Sequence, residues 1–192
     1  MTRVARGRAV SSSVAAALVV VGLAASGAAA EPTAAPDGKW RVEPSAGLVA
    51  DAFLGDARQL AGWGAGAAFG ATARRDGSAW GGRLVLELEP VTDVGPGASL
   101  GLFAARLGVE RTWRRHLVSA LDVGGAARRL AISDEITRTE LGLEANLQLG
   151  WRLLIARRCT ATVGMRYALA WFVSDFFFWQ RAGVSVSFAL TR

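Results

Sequence analysis

The chain has 192 residues, of which 52% are apolar and 20% charged, and it contains seven tryptophans and one cysteine. This length suits one domain, the apolar fraction is too high for a disordered chain, and a single cysteine excludes a disulfide scaffold or a cysteine-rich zinc cluster. The net charge of +6 would suit nucleic-acid binding only if those charges belonged to the folded domain.

Residues 1–30 predict a secretory signal peptide. Three arginines (Arg3, Arg6 and Arg8) precede an apolar stretch from about Val14 to Ala25, and small residues follow. This is the order of a positively charged region, an apolar region and an A-x-A cleavage site. The apolar stretch is shorter than the roughly 20 residues that a spanning helix needs, although an uncleaved membrane anchor is the alternative. Cleavage removes three arginines and no acids, so the net charge falls to +3 and we expect no nucleic-acid partner.

Residues 31–39 (EPTAAPDGK) are rich in proline and alanine, and they predict a flexible periplasmic stub. From Trp40 onward the dominant pattern has period two, which is typical of β-strands. Pro44 lacks a backbone N–H, so we expect the first strand to begin after it or to carry a bulge there. The alternating segments are, in chain order, Trp40–Phe53, Ala61–Ala73, Arg83–Pro90, Leu100–Trp113, Leu117–Arg129, Glu140–Leu153, Thr160–Val173 and Gly183–Leu190.

The alternation is clearest in Glu140–Leu153. Every odd-numbered position from 141 to 153 is Leu, Ala or Trp, whereas the even-numbered positions are Glu, Gly, Asn, Gln or Arg. Alternate residues of a strand point to opposite faces, so the strand has one apolar face and one polar face. The breaks between the eight segments are short enough to join antiparallel neighbours, and they therefore predict an up-and-down meander.

An eight-stranded meander has two interpretations. In a soluble lipocalin-like barrel the apolar face points inward to a ligand cavity, and in a transmembrane barrel it points outward to lipid. The export signal and the many small residues on the polar face favour the transmembrane barrel. Strands of this length also cross a bilayer at the usual tilt of about 45°.

The tryptophans support the same interpretation, against that of ordinary core aromatics in a soluble sandwich. With the N-terminus in the periplasm, four fall near the periplasmic strand ends and two near the outer ends, all on the apolar face. Tryptophan prefers the membrane–water interface, so we predict two aromatic girdles. The girdle residues are Trp40, Trp80, Trp113 and Trp151 on the periplasmic side and Trp63 and Trp171 on the outer side. Trp179 breaks the alternation, and we expect it in the last loop.

These features together resemble the small outer-membrane β-barrels of the OmpA and OmpX type over residues 40–192. The last segment alternates as theirs does, with Val184, Val186 and Phe188 on one face. The resemblance implies an all-β fold, namely an eight-stranded antiparallel up-and-down transmembrane β-barrel in the bacterial outer membrane. It also implies insertion by the barrel-assembly machinery. We further expect contact with outer-membrane lipids and lipopolysaccharide, and a monomer.

Five charged residues are expected on the inward face at mid-depth, and they are Glu87, Arg106, Asp122, Glu144 and Arg166. A charge inside a narrow barrel loses hydration, so opposite charges should pair there. We predict the pairs Glu87–Arg106, Arg106–Asp122 and Glu144–Arg166. An eight-stranded interior is just wide enough for its own side chains, so this polar network should act as a plug, with a narrow channel as the alternative.

The sequence predicts no catalytic residue, no cofactor and no metal site. His116 lies in an arginine-rich turn with no nucleophile or carboxylate apparent nearby, and Cys159 is interpreted as a passive thiol. One histidine and one cysteine far apart give no metal-ligand spacing. We therefore expect a non-enzymatic protein with a structural or surface-interaction role. A lipid-modifying outer-membrane enzyme, a narrow channel and a soluble binding barrel are the alternatives.

Overall fold

A computed structural model describes residues 38–91, 98–113, 116–132, 136–175 and 178–190. The predicted signal peptide, residues 1–30, and residues 31–37 of the predicted stub lie outside this part. Eight antiparallel strands close into one barrel in sequence order. They are β1 (Trp40–Leu54), β2 (Trp63–Arg75), β3 (Trp80–Val91), β4 (Ala98–Trp113), β5 (Leu117–Ile132), β6 (Ile136–Ala156), β7 (Cys159–Phe172) and β8 (Trp179–Leu190). The predicted eight-stranded meander is confirmed.

A short 3₁₀ helix (Gly55–Gln59) follows β1, in the break between the first two alternating segments. It buries Ala57 completely against the mouth of the barrel. No helix in the described part of the chain is long and apolar enough to cross a membrane.

Pro44 does not interrupt β1, and the expectation of a later start or a bulge at this position was wrong. The strand begins at Trp40, and its register with β2 runs without a break through Pro44, which lies opposite Ala71. Pairing with β8 begins one residue later, at Ser45. A proline is tolerated here because Pro44 lies just outside the β1–β8 ladder, where a missing N–H removes no ladder hydrogen bond.

The barrel is apolar outside and charged inside. Leu107 and Leu141 are 65% and 70% exposed on the outer face, whereas the inward-facing Arg106 and Asp122 are 2% and 0% exposed. A soluble barrel has the opposite arrangement, so the lipocalin-like alternative was wrong. We call the end that holds Trp40 and Leu190 the terminal end, and the opposite end, which holds the 3₁₀ helix, the distal end.

Candidate functional site in the barrel interior

Buried ion pairs fill the centre of the barrel. Arg106 bridges two carboxylates, since its Nη2 lies 2.5 Å from Glu87 Oε2 and its Nη1 donates to Glu144. Arg166 donates two further hydrogen bonds to Glu87, of 2.7 and 2.8 Å. Each of these four side chains is at most 6% exposed. The central network therefore ties β3, β4, β6 and β7 together through their side chains.

Arg181, Asp51 and Glu89 complete the central network, and none of the three was among the predicted network residues. Arg181 is 1% exposed and donates to Glu89 and to Glu144 Oε2, the latter at 2.5 Å. Asp51 Oδ2 lies 3.2 Å from Arg166 and 3.4 Å from Arg181. The last strand was predicted to begin at Gly183, two residues after Arg181, and the same alternation extended backward would have placed Arg181 inside the barrel.

A second set of ion pairs, the lower network, lies nearer the terminal end. Glu110 Oε1 accepts hydrogen bonds from Arg74 at 2.5 Å and from Arg152 at 2.6 Å. Asp122 Oδ1 lies 3.1 Å from Arg83 Nε, and Asp122 Oδ2 accepts a hydrogen bond of 3.1 Å from Asn146. Asp122 is thus in the lower network, and the other four predicted residues are in the central one.

Two of the three predicted ion pairs were wrong. Glu87 and Arg106 pair as predicted, but Asp122 pairs with Arg83 rather than Arg106, and Arg166 pairs with Glu87 rather than Glu144. The strand registers explain the difference. Asp122 lies opposite Gly108 instead of Arg106, and Arg166 lies opposite Gln148, four residues along the strand from Glu144.

The two networks together are balanced in charge. They contain six carboxylates (Asp51, Glu87, Glu89, Glu110, Asp122 and Glu144) and six guanidinium groups (Arg74, Arg83, Arg106, Arg152, Arg166 and Arg181). A buried charge is tolerated only where an opposite charge and hydrogen bonds compensate for lost hydration. The balance indicates that the ion pairs fill the interior without a fixed surplus of either sign.

An apolar layer covers the central network on its distal side. Trp179 is 3% exposed and packs edge-on against Phe53 and Phe172, with ring centroids 5.8 and 5.9 Å apart. Trp179 was expected in the last loop, and this was wrong, since it opens β8 with its side chain inside the barrel. Trp179 breaks the alternation because its ring points into the barrel. There it forms part of a layer of packed rings at the distal mouth.

Arg128 caps this apolar layer. Its guanidinium lies over the rings of Phe172 and Trp179, 4.7 and 4.9 Å from their centroids. The same group donates to Glu140, with Nε 2.6 Å from Oε2, and to Asp175, at 2.5 and 2.8 Å. The distal mouth is therefore closed by a cation that is held between two aromatic rings and two carboxylates.

The space left inside the barrel is small. A cavity of about 70 Å³ lies in the terminal half, and its lining includes Ser45, Thr72, Gln148 and Ser185. Such a volume holds a few water molecules, whereas pockets for small organic ligands usually measure about 300 Å³ or more. This cavity is thus suited to internal hydration and not to a ligand of ordinary size.

Two other features carry side chains capable of chemistry. The carboxylates of Asp51, Glu87 and Glu89 approach within 4.8 Å of one another, the spacing of a cation site. Arg166 and Arg181 already bring positive charge to these carboxylates. His116 stacks on Trp151 with 5.7 Å between ring centroids, which gives it a packing contact in the turn before β5.

The predicted girdle tryptophans lie at both ends of the barrel and point outward. Trp40, Trp80, Trp113 and Trp151 lie toward the terminal end, and Trp63 and Trp171 toward the distal end. All six are exposed, from 37% for Trp80 to 72% for Trp40. Their contact with a membrane interface stays a prediction.

Solved structures with this architecture are outer-membrane barrels. Neisserial surface protein A has a TM-score of 0.58 at 8% identity, over 80% of this chain and 99% of that one. Ail, the attachment invasion locus protein of Yersinia pestis, has a TM-score of 0.57 at 8% identity, over 78% of this chain and 96% of that one. This chain has the fold of the small outer-membrane β-barrels. No protein-family model matches the sequence, and no curated protein matches it.

The likeness confirms the predicted fold class and agrees with the predicted outer-membrane localisation. At 8% identity the agreement is one of architecture. A conserved arrangement of strands accommodates very different chemistry, so the likeness transfers no residue roles to this chain.

Proposed function

We propose that this chain is an integral, monomeric protein of the bacterial outer membrane that has a sealed interior and a structural or surface-interaction role. One observation carries the proposal, namely the inverted polarity of the barrel. Large apolar side chains are exposed all around the outside, and the charged side chains inside are buried and paired. Only lipid satisfies such an exterior, because a continuous apolar belt in water would aggregate.

Three layers support a sealed interior. From the distal end these are the Arg128 cap with the Phe53–Phe172–Trp179 layer, the central network and the lower network. A conducting path would need a continuous column of water, and the paired side chains occupy that space. The proposed role therefore belongs to the outer surface and not to transport through the barrel.

The proposed partners follow from that surface. Membrane lipids and lipopolysaccharide surround the apolar belt, and the barrel-assembly machinery inserts the chain. No catalytic residue is assigned, and we propose that the protein is not an enzyme. Mass spectra of lipid A are expected to be identical with and without overexpression, and a new lipid A species would contradict this part of the proposal.

Cell fractionation tests the membrane assignment. The protein is expected in the outer-membrane fraction, resistant to extraction with alkaline carbonate and soluble only with detergent. Its folded form should migrate differently from the boiled form on a gel, because closed barrels resist unfolding by detergent in the cold. Recovery as a soluble periplasmic protein would overturn the proposal.

A further inference from the structure

The outer surface at the terminal end carries a row of alternating tryptophan and arginine. Trp40 lies directly opposite Arg75 in the β1–β2 ladder, and Trp80 lies directly opposite Arg111 in the β3–β4 ladder. Residues directly opposite each other in a ladder share one face of the sheet, so both arginines point outward with the exposed tryptophans. With Trp113, which also lies on this face of β4, these residues form what we call the Trp–Arg row.

The arginines of the row have no acidic partner in the part of the chain that the structure describes. Among the described residues no carboxylate forms an ion pair with Arg75 or Arg111, whereas the inward-facing Arg74 pairs with Glu110. Arg75 donates a hydrogen bond of 3.1 Å from its Nε to the carbonyl of Gly38, and its two terminal nitrogens have no acceptor among the described residues. Asp76, the acid nearest in sequence, pairs with Arg41.

Arg111 is held in place by rings instead of by a counter-charge. Its guanidinium carbon lies 3.6 Å from the ring centroid of Trp113 and 4.9 Å from that of Trp80. Stacking on a ring leaves the N–H groups at the edge of the guanidinium free to donate in its own plane. Arg111 is thus oriented for a planar, bidentate interaction with an oxyanion.

We propose that the Trp–Arg row binds the phosphate headgroup of an anionic glycerophospholipid. Tryptophan prefers the headgroup depth of a membrane, so arginines in the same row lie at the depth of the lipid phosphates. Guanidinium groups bind phosphate with two parallel hydrogen bonds, and two of them without carboxylate neighbours favour a lipid with a net negative charge. Lys39, exposed beside Trp40, adds a third positive charge.

The leaflet decides the lipid class. The terminal end is expected on the periplasmic side, where glycerophospholipids form the leaflet and lipopolysaccharide does not. This inference rests on the proposed membrane assignment and extends it from lipid contact in general to one headgroup site. The Arg157 and Arg158 pair, exposed in the β6–β7 turn at the same end, carries the same charge without a ring contact among the described residues and serves as a matched control.

Native mass spectrometry of the full chain tests the site. The protein is extracted in a non-ionic detergent and mixed with equal amounts of phosphatidylglycerol and phosphatidylcholine. The wild type is expected to bind phosphatidylglycerol in preference. R75Q/R111Q should weaken that binding by about thirtyfold, since each surface arginine contributes about 1 kcal/mol. R157Q/R158Q should leave it unchanged, and R75K/R111K should fall between the two.

Three results would overturn the site. These are equal binding of the two lipids by the wild type, equal losses in the two glutamine variants, and a preference for lipopolysaccharide over phosphatidylglycerol in a second mixture that contains both. The heat-dependent gel shift verifies folding of each variant. If R75Q/R111Q fails to fold, R111Q alone is measured and is expected to lose about fivefold. A wild type that folds in detergent but shows no preference contradicts this site alone, whereas a water-soluble wild type contradicts the proposed function.

Discussion

Arg166 on β7 holds Glu87 on β3 through two hydrogen bonds of 2.7 and 2.8 Å that cross the lumen of the barrel. Four strand positions separate β3 from β7 in either direction around the closed ring, so the pair joins opposite walls. Arg106 reaches the same carboxylate from the neighbouring strand. Side chains from opposite walls therefore meet at the centre of the barrel.

The first prediction concerns this transverse pair. Arg166→Met removes the guanidinium that neutralises Glu87 and leaves a buried carboxylate with less compensation. Removing one partner of a buried ion pair costs about 3 to 5 kcal/mol. Urea unfolding of the barrel in lipid vesicles, followed by tryptophan fluorescence, measures the loss.

Arg41→Met is the matched control for this substitution. Arg41 pairs with Asp76 at the terminal rim, and its side chain is 55% exposed. Exposed ion pairs contribute less than about 1 kcal/mol. Equal losses in the two variants would show that the transverse pair stabilises no more than a surface contact does.

The second prediction concerns the close approach of β8 to β1. A Cβ atom on Gly183 would lie 2.0 Å from the carbonyl oxygen of Ala50 and 2.1 Å from Asp51 Oδ1. Gly183→Ala should therefore push the strands apart and weaken the ion pairs of Asp51, with a loss of about 1 to 3 kcal/mol. Gly125→Ala has open space around its Cβ and should unfold at nearly the wild-type urea concentration. Unchanged stability of Gly183→Ala would contradict this packing.

The third prediction concerns the apolar layer. Trp179→Ala removes the ring that packs against Phe53 and Phe172, and the cavity should lower the free energy of unfolding by about 3 to 5 kcal/mol. Trp171→Ala truncates a tryptophan on the outer face, which is 39% exposed, and should cost less. The same vesicle unfolding assay compares them, and a larger loss for Trp171→Ala would place the main packing contribution outside the barrel.

The fourth prediction concerns orientation. Because Cys159 is the only cysteine, C159S gives a background in which single cysteines can be placed at will. Asp56→Cys in the exposed 3₁₀ helix should react with a membrane-impermeant maleimide on intact cells. Arg157→Cys in the β6–β7 turn should react only after the outer membrane is permeabilised. The reverse pattern would place the terminal end outside the cell.

Much of the fold could be predicted from alternation alone, because alternating apolar residues have no coherent face on a helix. The prediction was weakest at strand ends. Arg83 was taken as the start of the third strand, whereas β3 begins at Trp80, and the last strand begins at Trp179 instead of Gly183. Gly81 and Gly82 hide the alternation at the start of β3, and the inward-pointing Trp179 hides it at the start of β8. The backbone ladder nevertheless continues through these residues.

The composition of the interior could also be predicted, but its pairing could not. Alternation identifies which side chains point inward, and all five predicted residues are buried. Which charge meets which depends on the stagger between strands and on reach across the lumen. Neither is encoded in the order of residues along one strand, so the partners of Asp122 and Arg166 were predicted wrongly. Arg181, which pairs with Glu89, was missed for another reason, since its strand was begun two residues too late.

The central claim is that the barrel spans the membrane with its interior sealed. Conductance in planar lipid bilayers tests this claim most directly. Purified protein is first shown to be inserted and folded by its heat-dependent gel shift. A current indistinguishable from that of the protein-free bilayer is expected, because the Arg128 cap, the Trp179 layer and the ion pairs around Arg106 and Arg166 are proposed to interrupt any water path. Reproducible, discrete conductance steps from the folded wild type, absent from the heat-unfolded sample, would contradict it.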